Sequence, residues 1–138
     1  MNQSQFIGNL TRDPELRQLK SGKNVCSFTL AVNRKYKVAD GQRPTDFFEV
    51  VVWEKRGESL AGMLKKGMRV YVRGEMQTYS YTSKDGTKHE KCRLVLGEER
   101  DAFEFCSSRM KDEPDVTSEE YEGDDLPFPG ADDEGGNT

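Results

Sequence analysis

Between Arg69 and Tyr81 the chain alternates aromatic rings with guanidinium groups. In RVYVRGEMQTYSY, Arg69, Tyr71, Arg73, Glu75, Gln77, Tyr79 and Tyr81 share one parity, and Val70, Val72, Met76 and Thr78 share the other. An extended strand sends alternate residues to opposite faces, so this run predicts one apolar side and one side of rings and charge. Single-stranded nucleic acid needs both features, flat apolar faces for its bases and fixed positive charge for its phosphates. Stacking is worth about 1–3 kcal/mol per base and tolerates any base, because every base has a π-face. The combination recurs at Tyr36, flanked by Arg34, Lys35 and Lys37, and Lys84 and Lys88 follow Tyr79 and Tyr81. Phe47 and Trp53 lie at an even spacing in an earlier strand-like run and share a side. A continuous apolar run hides its faces, so from these residues alone a buried core position fits the pair equally well. Phe48, Val50 and Val52 belong to the opposite side, as core or subunit contact.

Other chemistry finds little support. The sequence has no P-loop pattern, no G-x-S-x-G and no paired His/Cys site. Acidic residues are plentiful, but none stands in an apolar setting that raises its pKa. His89 has no partner at metal-ligand spacing. Cys26, Cys92 and Cys106 are odd in number and lie in apolar runs, as small buried hydrophobes in a reducing compartment. The expectation is a binding protein rather than an enzyme, with no cofactor and no metal.

The elements that must position these residues are mostly strands. Gln5 to Leu10 reads as a first strand, Asp13-Pro14 as a turn, and Glu15 to Leu19 as its resumption. Val25 to Asn33 alternates, with Cys26, Phe28, Leu30 and Val32 on a core side and Ser27, Thr29 and Asn33 on a wet side. Arg34 to Pro44 is a polar loop. Phe47 to Trp53 is aromatic and β-branched, which fits a pleated surface. A short helix follows, with Leu60, Met63 and Leu64 on one stripe and Gly67 as its C-cap after Lys65 and Lys66. Ser83-Lys84-Asp85-Gly86 predicts a hairpin turn between the Arg69 strand and Lys88 to Leu96. Phe103 and Phe105 close the body. This order predicts an all-β, five-stranded OB-fold barrel with one short helix between strands 3 and 4.

The charge distribution divides the chain. Up to Ser108 there are 19 Lys and Arg against 14 Asp and Glu, a net of +5, whereas from Arg109 there are 2 against 11, a net of −9. The expected organisation is therefore a basic nucleic-acid-binding domain at 1–108 and an acidic tail at 109–138. The tail's Pro- and Gly-rich composition buries too little apolar surface to offset chain entropy, which predicts disorder. Within it Asp124, Asp125, Leu126, Pro127 and Phe128 place two large apolar side chains directly after paired acids, as a docking point for another protein. The start, MNQSQFIGNL, lacks the charged and apolar regions of a signal peptide, and no run approaches membrane-spanning length. The expectation is a cytoplasmic protein with no membrane partner.

The segments FIGNLTRDPELRQLKSGKNVCSFTLAVNRKY and VVVWEKRGESLAGMLKKGMRVYVRGEMQTYSY resemble bacterial-type single-stranded DNA-binding proteins, over roughly residues 5 to 106. The resemblance implies an OB-fold that coats single-stranded DNA without sequence preference, as a homotetramer associated with the nucleoid or replication fork. It places base-stacking aromatics at Tyr36, Phe47, Trp53 and Tyr81, with Tyr71 beside them, and assigns the acidic tail to recruiting replication, recombination and repair enzymes. In such proteins the Asp-Asp-hydrophobic-Pro-Phe tip ends the chain. Here Pro129 to Thr138 follows it, so Phe128 presents no free carboxylate. A single-stranded RNA or primosome-type OB-fold binder would use the same face, and a protein-interaction adaptor could keep the fold without it.

Overall fold

The β-branched and aromatic runs fold as extended pairs. In the computed structural model, which describes residues 1–107, they form β1 (Ser4–Leu10), β2 (Glu15–Gln18), β3 (Asn24–Asn33), β4 (Thr45–Trp53), β5 (Arg69–Thr82), β6 (Lys88–Leu96) and β7 (Phe103–Ser107). One helix, α1 (Glu54–Met63), lies between β4 and β5, and a 3-10 turn at Arg100–Ala102 precedes β7. The acidic tail and its Asp124 to Phe128 tip fall outside the described residues.

Pairing runs β1–β3–β4–β6–β5, and β5 pairs β1 in turn, so five strands close on one another. All pairings are antiparallel except β4 with β6. The chain is thus mostly β with one short helix after the third long strand, consistent with an OB-fold. Two strands lie outside the five: β2 pairs β3, and β7 pairs the first part of β5. β5 serves two neighbourhoods, pairing β1 from Arg69 to Gly74 and β6 from Gly74 to Thr82. Gly74 is the corner between them.

Inward residues form one apolar cluster that includes Leu10, Cys26, Phe28, Leu30, Val50, Val52, Val70, Val72 and Leu94, with Leu60 and Leu64 of the helix closing it. Burial pushes the Cys26 thiol up to about 11, so it stays protonated. Phe6 packs against this cluster, and Phe48 stacks on Phe6 with ring centroids 4.1 Å apart.

Four local expectations are corrected. Thr29, expected on the wet side, is buried, in a strand paired on both sides by β2 and β4. Met63 is exposed, while Leu60 and Leu64 are buried. The helix ends at Met63 with Leu64 as its cap, and Gly67 serves the next turn at φ +89, its amide donating to the Leu10 carbonyl. Cys92 and Cys106 are exposed, since one lies on the outer β5–β6 hairpin and the other near the end of β7.

The start of α1 is pinned to the far end of the sheet. Arg56 donates to the carbonyls of Gly97, Glu99 and Arg100 at 2.8, 2.9 and 3.2 Å. Gly57 allows the helix to lie directly on β4, where a Cβ would stand 2.3 Å from the Val52 carbonyl oxygen.

Candidate nucleic-acid interface

Register settles which residues of the apolar β4 run face outward. Opposite one another on β3 and β4 stand Ala31 and Phe47, Thr29 and Glu49, Ser27 and Val51, Val25 and Trp53. This is the parity opposite to Cys26 and Val52, so Phe47 and Trp53 belong to the outer face and both are half-buried. Trp53 is also the last residue before α1, followed by Glu54 in the left-handed region at φ 56. The turn from strand to helix thus fixes the direction of the indole.

The outer face continues through β6 onto the second half of β5. Tyr79 donates from its hydroxyl to Glu49 Oε1 at 2.9 Å, reaching across β6 to β4. The Arg93 guanidinium of β6 lies over the Tyr79 ring, 4.3 Å from its centroid. Tyr81 stands 6.4 Å from Tyr79 and stacks on His89 at 5.1 Å, its pairing partner on β6. Burial and the Glu49 charge push the Tyr79 phenol far above its usual range, so it remains a donor. Lys84 sits at the hairpin tip, in a turn closed by Ser83 and Thr87. There Asp85 is lowered to about 2, chiefly by the Ser83 hydroxyl.

The loop between β3 and β4 is organised by Arg34. Its guanidinium holds Asp46 through two bonds of 2.8 and 2.9 Å and donates to the Tyr36 hydroxyl at 2.7 Å. Arg43 donates to the carbonyls of Arg34 and Lys35 at 3.1 and 2.6 Å, folding the loop onto itself. The Tyr36 ring remains exposed. The Arg34 partnership keeps the Asp46 carboxyl below its usual range.

Arg69, Tyr71 and Arg73 are placed elsewhere. They share the outward parity, but at the end of β5 that pairs β1 and β7. From Tyr71 to Tyr79 the strand travels about 26 Å, which puts the two groups toward opposite ends of β5. Arg69 donates to Asn9 Oδ1 at 3.0 Å and Tyr71 to Gln5 Oε1 at 3.0 Å. Arg73 donates to the Tyr71 hydroxyl at 3.3 Å and pairs with Asp101 at 2.8 Å and Glu99 at 3.4 Å. The Gly97 to Asp101 segment lies between this group and α1, bound by Arg73 on one side and Arg56 on the other. The site residues therefore divide into Arg34, Lys35, Tyr36, Phe47, Trp53, Tyr79, Tyr81 and Lys84 on the β3–β4–β6–β5 side, and Arg69, Tyr71 and Arg73 on the β1–β5–β7 side.

Two residues of the first group escaped the sequence reading. Arg93 carries no motif. Glu49 corrects the expectation that every carboxylate is solvated, because burial raises its pKa, against the lowering influence of Tyr79, Arg93 and Lys91. The available signal was one acid inside FFEVVVW. An acid in such a run needs partners from other strands.

The model of the single-strand binding protein family matches residues 1–100. Single-stranded DNA-binding protein 1 of Staphylococcus aureus (strain MSSA476) is 39% identical over 113 residues, 82% of this chain and 70% of that protein. Single-stranded DNA-binding protein 2 of Clostridium acetobutylicum is 44% identical over 99 residues, 71% of this chain and 74% of that protein.

Proposed function

Because the chain belongs to the single-strand binding protein family, we propose that it binds single-stranded DNA without sequence preference, coating and protecting the strand, and catalyses no reaction. The observation that carries this reading is the outward surface of Trp53, Phe47, Tyr79 and Tyr81, bordered by Arg34, Lys35 and Lys84. Half-buried rings on fixed strands are stacking platforms that lose little freedom when a base arrives. The closed pairing of β1, β3, β4, β6 and β5 supports an OB-type barrel beneath them. Residues 1–108 are this domain and 109–138 its acidic tail.

Titration with oligo-dT, read by fluorescence of the single tryptophan, Trp53, tests the reading. Quenching that saturates supports it, and unchanged fluorescence with no measurable binding removes it. Tighter binding to oligo-rU than to oligo-dT would move the assignment to RNA. Log K should fall linearly with log salt, at roughly −0.7 per phosphate contacted. Neutralising Lys35 and Lys84 flattens that slope, and Arg34, already paired with Asp46, adds little to it. Arg73→Gln leaves it unchanged, because Asp101 and Glu99 already pair with that charge.

Assembly is proposed to be a homotetramer, with the β1–β5–β7 side available for subunit contact: Ile7, the pairing partner of Tyr71, is exposed there. A net of +5 per subunit, multiplied by four, gives a field suited to a wrapped strand. The location is cytoplasmic, at the nucleoid or replication fork, and among the described residues no helix is long and apolar enough to cross a membrane.

Asp124, Asp125, Leu126, Pro127 and Phe128 are proposed to dock enzymes of replication, recombination or repair. A pocket that grips a terminal ring and carboxylate together loses the second contact here, because Pro129 to Thr138 follows. Pull-down of such enzymes should therefore be weaker with the full chain than with a form ending at Phe128, and lost without Asp124 to Thr138. Oligo-dT binding of the tail-less form should be equal or tighter, since an acidic segment competes for the basic surface. Equal recovery by all three forms would eliminate the docking role.

A further inference from the structure

Glu49 is an anomaly on a surface proposed to hold a polyanion. It lies mid-strand on the outer face, between Phe47 and Val51, opposite Thr29 of β3. Tyr79 of β5 donates to it at 2.9 Å, and Arg93 and Lys91 of β6 supply the positive charges that face it. Thr29 brings no charge. Arg93 in turn lies 4.3 Å from the Tyr79 ring centroid. The phenol is thus fixed at two points, its hydroxyl by Glu49 and its ring by Arg93, on three different strands.

Resting on the single-strand reading of this face, we propose that Glu49 is a positioning residue that holds the Tyr79 ring as a fixed stacking platform, and that its carboxylate charge opposes phosphate, so strand binding takes up a proton. An acceptor is needed to orient the phenol, but a full negative charge is not. A protonated carboxyl still accepts from Tyr79 through its carbonyl oxygen. Phosphates brought near an ionised carboxylate favour its neutral form. That carboxyl is already pushed upward by burial in the free protein. The affinity should therefore rise as pH falls through the window above the ordinary glutamate value, by up to tenfold per pH unit for one proton. The same direction applies to stability: the folded state holds the proton longer than the unfolded chain, so stability falls as pH rises across that window.

The experiment compares oligo-dT affinity of wild type, Glu49→Gln, Glu49→Ala and Tyr79→Phe from pH 5 to 8, with thermal melts confirming that each is folded. Glu49→Gln keeps an acceptor without charge. Its advantage over wild type should grow from pH 5 to pH 8, and its profile should be flatter. The difference between the two profiles isolates Glu49 from His89, which stacks on Tyr81 in both proteins. Glu49→Ala and Tyr79→Phe, which break the link, should both bind more weakly than Glu49→Gln at pH 8. Parallel profiles for wild type and Glu49→Gln, or equal affinity of the glutamine and alanine variants, overturn this inference alone. Failure of the wild-type protein to bind oligo-dT at any pH overturns the single-strand reading and this inference with it.

Discussion

Trp53→Ala should weaken oligo-dT binding by about 1–3 kcal/mol, roughly five- to 150-fold, while leaving a folded protein. The indole stands on the outer parity of β4 opposite Val25, so its removal leaves the inward cluster untouched. Its direction is set by the turn into α1, where Glu54 takes a left-handed conformation and Arg56 binds three carbonyls beyond β6. The loss is therefore that of a platform already in place. Tyr81→Ala should behave in the same way, at the smaller end of the range, because His89 already covers part of that ring. Phe48 provides the contrast. It is adjacent to Phe47 in sequence, but it faces inward and stacks on Phe6. Phe48→Ala should lower the melting temperature clearly and leave the affinity of the folded fraction unchanged. Isothermal titration and thermal melts on the three variants decide the matter, and wild-type affinity in folded Trp53→Ala would remove the indole from the site.

The largest effect on stability is expected at Gly74. A Cβ there would stand 2.0 Å from the Val95 carbonyl oxygen and 2.8 Å from its carbon. Neither can retreat, because Val95 lies between β4 and β5, pairing Val51 on one side and Glu75 on the other. Gly74→Ala must therefore push β5 away from β6 at the corner where β5 passes from one partner to the other. The expected loss is more than about 3 kcal/mol, at or beyond the upper end of ordinary overpacking. Denaturant unfolding measures it. Gly62 is the control: a Cβ on this helical glycine meets nothing within 4 Å. Gly62→Ala should stabilise by about 0.5–1 kcal/mol through helix propensity and unfolded-state entropy. Similar behaviour of the two variants would show that the close approach at Gly74 is not a constraint.

Alternation by itself determined the strands. Period-two patterning in Val25 to Asn33 and Arg69 to Tyr81, with Asp85-Gly86 between two such runs, specifies strands and a hairpin because the side-chain direction of an extended chain is purely local. The same local rule placed Arg69, Tyr71, Arg73, Tyr79 and Tyr81 on one side of one strand. It could not say that the strand bends at Gly74 and changes partners, which separates the first three residues from the last two. Nor could it orient FFEVVVW, where residues on both parities are apolar. Only pairing with β3 turned Phe47 and Trp53 outward and Phe48, Val50 and Val52 inward. Met63 and Leu64 show the same limit at the helix, where the apolar stripe predicted both buried and the end of α1 left one exposed. Glu49 shows it most clearly. Sequence places an acid among apolar residues, but Tyr79, Lys91 and Arg93 meet it from strands 30 to 44 residues further along the chain. Which charges face one another is a property of register between strands, and register is decided by the closing of the whole sheet.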